Sequence, residues 1–89
     1  MQGNPKKVDV VIVNDEAEAP SILNPMSGHI FITNAIGKRV MELANGDRNL
    51  ETIVSEISKK FKGASLDVIK RDVTVFLETC TSKQLIHWV

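Results

Sequence analysis

The chain has 89 residues, enough for one domain and too few for two, and its 43% hydrophobic and 25% charged residues separate it from disordered and fibrous chains. Eleven basic residues against eleven acidic ones give a formal net charge of zero, which argues against nucleic-acid binding, because proteins that neutralise phosphates carry a basic surplus. The single cysteine, Cys80, excludes an intramolecular disulfide. Neither an apolar signal sequence nor a segment of membrane-spanning length occurs, so a cytoplasmic location with no membrane contact is expected.

The first third reads as strands. After a polar N-terminal stretch, residues 8–13 (Val-Asp-Val-Val-Ile-Val) are dense in β-branched side chains and stop at the turn signal Asn14-Asp15. The acidic run Asp15-Glu16-Ala17-Glu18 that follows reads as a solvated loop. Residues 21–24 form a short second strand, ended by the turn chemistry of Pro25-Met26-Ser27-Gly28, and residues 29–33 (His-Ile-Phe-Ile-Thr) a third. Short connections imply an antiparallel meander.

At Asn34 the apolar period changes from two to about 3.6. Ile36, Val40 and Leu43 make one helical stripe, with Thr33 or Asn34 as N-cap and Gly46 suited to a left-handed cap. A second helix starts from Asn49, with the stripe Leu50, Ile53, Val54, Ile57 and Phe61, and with Lys59, Lys60 and Lys62 complementing its C-terminal dipole before Gly63 closes it. A third runs over residues 66–82 with the core face Leu66, Ile69, Val73, Phe76, Leu77 and Cys80. Residues 84–89 form a short strand or an extended tail. The fold class is α+β and winged-helix-like, a three-stranded antiparallel sheet followed by three helices.

Little here carries chemistry. His29, His87 and Cys80 show no metal-ligand spacing, Cys80 sits on an apolar stripe as a small core residue, no nucleophile motif occurs, and the five glycines are too scattered to cradle a phosphate. No enzyme activity, cofactor or metal is expected. The informative element is the third strand. Ile30, Phe31 and Ile32 are consecutive and apolar, so both faces of the strand are hydrophobic, where a half-exposed strand alternates. As the edge of a meander it has no Pro or Lys to blunt it. Either a helix covers the second face, or a peptide adds to the edge as a further strand.

Taken together, Phe31-Ile32-Thr33-Asn34-Ala35, Val40-Met41-Glu42-Leu43-Ala44-Asn45-Gly46, Leu50-Glu51-Thr52-Ile53, Arg71-Asp72-Val73 with Val75-Phe76-Leu77, and Gln84-Leu85-Ile86 resemble the PqqD-like proteins from about Ile22 to the C-terminus. Thr33 stands where that family usually has Leu, Asn45 where it has Asp, Asn49 where it has Thr, and Gln84 where it has Gly. The resemblance implies that residues 1–89 are a single PqqD-like peptide-binding domain, a RiPP recognition element. Such a chaperone holds the leader of a ribosomally made precursor peptide for a modifying enzyme, such as a radical SAM protein or a leader peptidase. The leader would add as a strand beside the third strand, in a groove closed by the third helix. On the strand, residues Ile30, Phe31, Ile32 and Thr33 are expected at the site, with Ile30 and Ile32 toward the peptide and Phe31 and Thr33 toward the core. On the helix, one flank offers Lys70, Val73, Thr74 and Leu77, with Lys70 placed to meet a leader carboxylate. The rival flank is Val68, Asp72, Val75 and Thr79. A second copy of the chain, paired through the open edge, is a further candidate partner; nucleic acid is not expected, and a winged-helix DNA-binding regulator is the alternative reading. As a winged-helix regulator the protein would need a basic recognition helix, whereas the third helix mixes Asp67, Asp72 and Glu78 with Lys70 and Arg71.

Overall fold

The computed structural model describes residues 3–15 and 19–89. Its elements run β1 (Pro5–Lys7), β2 (Ile12–Asn14), β3 (Ser21–Leu23), β4 (Ile30–Ile32), α1 (Ala35–Leu43), α2 (Leu50–Lys60), α3 (Leu66–Ser82) and β5 (Ile86–Trp88). Glu16, Ala17 and Glu18 of the acidic loop lie outside the described residues. The expected core architecture is present: β2, β3 and β4 form an antiparallel meander in that order, followed by three helices.

Two features depart from the expectation. The run at residues 8–13 is not one strand: residues 8–11 form a turn after β1, and β2 begins only at Ile12. The Val11 N–H donates to the Val8 carbonyl at 2.9 Å, and Lys7 Nζ spans the same turn to the Val11 carbonyl at 2.8 Å. Folding the run back lets Val8 and Val11 both face the core, and Val11 is buried while Val10 is left exposed. An extended run would have sent these two residues to opposite faces. The C-terminal segment is also settled: β5 is a strand, paired antiparallel with β1 in a second small sheet that joins Pro5 to Trp88 and Lys7 to Ile86. Gly46 belongs to this junction. Two residues beyond the Ala44 cap of α1 and at φ +88°, it donates its N–H to the Pro5 carbonyl, and a Cβ there would press on Val89 Cγ2 and Lys6.

Each helix opens on a side-chain cap. Asn34, Asn49 and Ser65 accept from the backbone N–H groups of Gly37, Thr52 and Val68, satisfying donors that the first turn leaves orphaned. Gly63 lies past the Phe61 cap of α2 rather than forming it. In the sheet, Val13, Ile22 and Phe31 align across the three strands and point at the helices. Ile22 is completely buried there with Val40, Ile53, Ile57, Ile69, Val73 and Leu77. Each such side chain contributes about 1.5–3 kcal/mol through its burial.

The end of α3 forms a Schellman motif. The Leu85 N–H donates to the Cys80 carbonyl at 2.8 Å and the Gln84 N–H to the Thr81 carbonyl at 3.1 Å. The apolar contact that accompanies such motifs falls between two fully buried residues, Leu85 and Cys80. The motif holds Gln84 at φ +62°, a left-handed conformation that suits Gly. Replacing Gln84 with Gly should therefore raise stability, by up to about 1 kcal/mol after the extra freedom of the unfolded chain is subtracted. Urea unfolding followed through Trp88 fluorescence would measure this. A loss of stability would contradict the assignment.

Candidate functional site

Sheet register decides what β4 offers. The Asn24 N–H donates to the His29 carbonyl at 2.9 Å and the Thr33 N–H to the Pro20 carbonyl at 2.8 Å, with Ile22 opposite Phe31 between them. Antiparallel pairs alternate between hydrogen-bonded and not. His29, Phe31 and Thr33 therefore turn their main chain to β3, and the N–H and C=O groups of Ile30 and Ile32 point to the open side. Among the described residues no strand pairs with β4 on that side.

Beside this edge runs a groove of about 430 Å³. Phe31 and Phe76 form its floor, their rings stacked with centroids 5.7 Å apart and planes 27° apart. The strand side continues through Ile32, Thr33 and Asn34, the helix wall is Asp72, Val75, Phe76 and Thr79 of α3, and Ile36 and Gly37 of α1 close one end. Val75 is 55% exposed, an apolar side chain standing over an apolar floor.

The two flanks of α3 lie in different surroundings. Val73 and Leu77 are fully buried in the core, where they touch other helices rather than the groove. Lys70 turns toward α2 and pairs with Glu51 at 3.1 Å, and Thr74 donates its hydroxyl to the Lys70 carbonyl at 2.7 Å. None of the favoured helix residues Lys70, Val73, Thr74 and Leu77 lines this groove. Helical spacing puts residues 72, 75, 76 and 79 on the groove side, about a quarter-turn round from the buried stripe. Of the rival flank, Asp72, Val75 and Thr79 line the groove, and Val68 lies one turn beyond Asp72, exposed. On β4, Phe31 and Thr33 are half-buried. Ile30 and Ile32 are 56% and 61% exposed, but their side chains face the outer surface of the sheet, where Ile30 follows Ile12 and Leu23 in a cross-strand row. Of the two, Ile32 borders the groove.

Gly37, Ile36, Asn34 and Phe76 are groove residues that the sequence did not single out. Phe76 fell within the core stripe, and its neighbour Val75, an apolar residue off that stripe, was the available signal. Gly37 was visible as a glycine inside a helical pattern, an expensive choice that normally has a packing reason. A Cβ at Gly37 would collide with the Thr33 Oγ1 and come within 2.9 Å of the Phe76 ring.

Two side chains hold the groove's far end. Asn24 donates its Nδ2 to the Gln84 carbonyl at 2.7 Å while its Oδ1 accepts from the Met26 N–H at 2.9 Å. His29 Nδ1 lies 2.7 Å from the Lys83 carbonyl, so that nitrogen carries the proton. At the other end Lys38 of α1 binds Asp15, which holds the carboxyl below its usual range and the ammonium above its own. Cys80 is fully buried, and burial pushes its thiol up to about 12, so it stays protonated and unreactive. Among the described residues no three of His, Cys, Asp or Glu converge as a metal site, and no helix is long and apolar enough to cross a membrane.

The protein-family model for coenzyme PQQ synthesis protein D (PqqD) matches residues 21–86, which include β3, β4 and all three helices. A search of the curated proteins found no match. Among solved structures, TbiB1 in complex with the TbiA(beta) leader peptide aligns with a TM-score of 0.75 at 24% sequence identity, covering 92% of this chain and 94% of that one. At that identity the likeness establishes a shared fold.

Replacing Gly37 with Ala should destabilise the protein by about 1–3 kcal/mol through overpacking and displace Phe76 from Phe31. Chemical-shift changes at the two rings, together with a lowered urea midpoint, would show it; an unperturbed ring pair would count against the packing described.

Proposed function

Since the chain belongs to the family of coenzyme PQQ synthesis protein D, we propose that it is a non-catalytic peptide chaperone for ribosomally made precursor peptides. It binds the leader segment by strand addition and presents the precursor to a modifying enzyme, such as a radical SAM protein or a leader peptidase. The observation that carries this reading is the open edge of β4 beside an apolar groove. The main-chain groups of Ile30 and Ile32 offer hydrogen bonds in the direction a new strand would need, and the Phe31–Phe76 floor receives the side chains such a strand turns inward.

The division of labour follows from the geometry. Backbone pairing along β4 supplies affinity for extended chains in general. The groove wall of Val75, Phe76 and Thr79 selects among them, because every second peptide side chain must enter it. The outward side chains of the added strand would extend the row of Ile12, Leu23 and Ile30. That leaves them visible to the enzyme that acts on the precursor. TbiB1, with which the chain shares its fold, is known in complex with a leader peptide, which supports placing the cargo here.

Ile32→Pro tests the edge directly. It removes an N–H aimed at the open side without touching the β3 ladder, and proline is tolerated on edge strands. Binding of synthetic peptides covering the leader of the precursor encoded beside the gene should weaken by about 1 kcal/mol, roughly five-fold in Kd. Val75→Glu, which sets a carboxylate above the Phe31–Phe76 floor, should weaken it by more. Titration calorimetry gives both numbers, and unchanged affinity in the two variants would sink the reading.

A further inference from the structure

Asp72 is the charged side chain among the described residues lining the groove. It stands on α3 one turn before Phe76, exposed, with only a long contact of 3.7 Å to the equally exposed Arg71 Nε. Two other neighbouring cations are engaged elsewhere. Lys70 is held by Glu51 on the α2 side of the helix, and Lys38, near the Thr33 end, is held by Asp15. The groove therefore offers apolar surface and one exposed carboxylate, whose ion pair among the described residues is the long one to Arg71.

Their spacing has a consequence for an added strand. β4 and α3 run in opposite directions: His29 meets Lys83 at one end, Phe31 meets Phe76 in the middle, and Asp72 lies one turn further on, at the end where Thr33 and Asn34 complete the groove. Successive inward side chains on a strand are about 6.6–6.8 Å apart. Four residues of α3, from Phe76 back to Asp72, span about 6 Å. The two repeats match, so one inward side chain over the phenylalanine floor brings the next inward side chain to Asp72.

We propose that this groove selects an extended peptide with a bulky apolar residue and, two positions toward its N-terminus, a Lys or Arg that pairs with Asp72. The N-terminal position follows from antiparallel addition to β4, the sense of both existing pairings in the sheet. This rests on the strand-addition reading above and names the chemistry of its cargo. Asp72 is a specificity residue, and the cation recognised is on the peptide.

The test uses four fluorescein-labelled peptides on a common Thr-rich extended frame, carrying Lys-Thr-Phe, Glu-Thr-Phe, Thr-Thr-Phe or the reversed Phe-Thr-Lys. Anisotropy titrations are run against the full chain, Asp72→Asn, Asp72→Lys and Ile32→Pro, with folding checked by Trp88 fluorescence. On the unmodified chain Lys-Thr-Phe should bind roughly five-fold tighter than Glu-Thr-Phe, and added salt should narrow the gap. Asp72→Asn should abolish the preference, Asp72→Lys should reverse it, and Phe-Thr-Lys should gain nothing over Thr-Thr-Phe. A preference that survives Asp72→Asn, or none on the unmodified chain, overturns the inference. Thr-Thr-Phe separates that failure from failure of strand addition: if it binds and Ile32→Pro weakens it, strand addition stands regardless of charge. If no peptide binds, both are overturned.

Discussion

Asn24 and His29, at the two ends of one tight turn, both reach the end of α3, and the distance between β4 and that helix follows from what they do there. The carbonyls they bind, Gln84 and Lys83, are consecutive, and both lie just past the last helical turn. A helix C-terminus presents carbonyls that lack intrahelical partners, so it is a natural landing site for side-chain donors. With the far end pinned by polar contacts and the middle by the Phe31–Phe76 stack, strand and helix stand apart by the thickness of two rings. That separation leaves the strand's hydrogen-bonding edge uncovered while giving it an apolar floor.

The same arrangement explains why a strand that is hydrophobic on both faces is stable in a small protein. Phe31 turns its apolar surface to the core side, while Ile30 joins an outward row with Leu23 and Ile12, and Ile32 one with Ser21 and Asn14, instead of being covered by a helix. Gly37 keeps α1 close to Thr33 and Phe76, so the groove has a closed end. The small set of residues that shapes the site is thus drawn from three elements, and each contributes through its backbone or its packing. None brings reactive chemistry.

Much of this was legible in the sequence because it depended on local periodicity. The three helices, the Asn34 and Asn49 caps and the β2-β3-β4 order followed from apolar spacing and turn residues. So did the significance of Ile30-Phe31-Ile32, whose failure to alternate is a one-dimensional signal. The groove flank of α3 was not legible. The apolar stripe already set Val73 in the core and Val75 off it, but which side of that stripe turns toward β4 is decided only by how α3 packs beside the sheet. The turn at residues 8–11 was hidden for a similar reason. A run of valines scores as strand, and only the competing chance to bury Val8 and Val11 together bends it. The pairing of β1 with β5 links the most distant parts of the chain, a relation that no local pattern encodes.

That last pairing gives the molecule an order of assembly. Helix caps and the hairpin of β3 and β4 involve neighbours in sequence and form quickly, whereas joining Pro5 to Trp88 closes a loop of nearly the whole chain and bears the corresponding entropy. Among the strand pairings it is the one with the highest cost in loop-closure entropy. The Trp88 indole, which donates to Thr81 on α3 at 2.9 Å, closes the last gap. The groove is lined only by residues between Phe31 and Thr79, so the surface beside β4 is built without either of the two strands that this long-range closure joins.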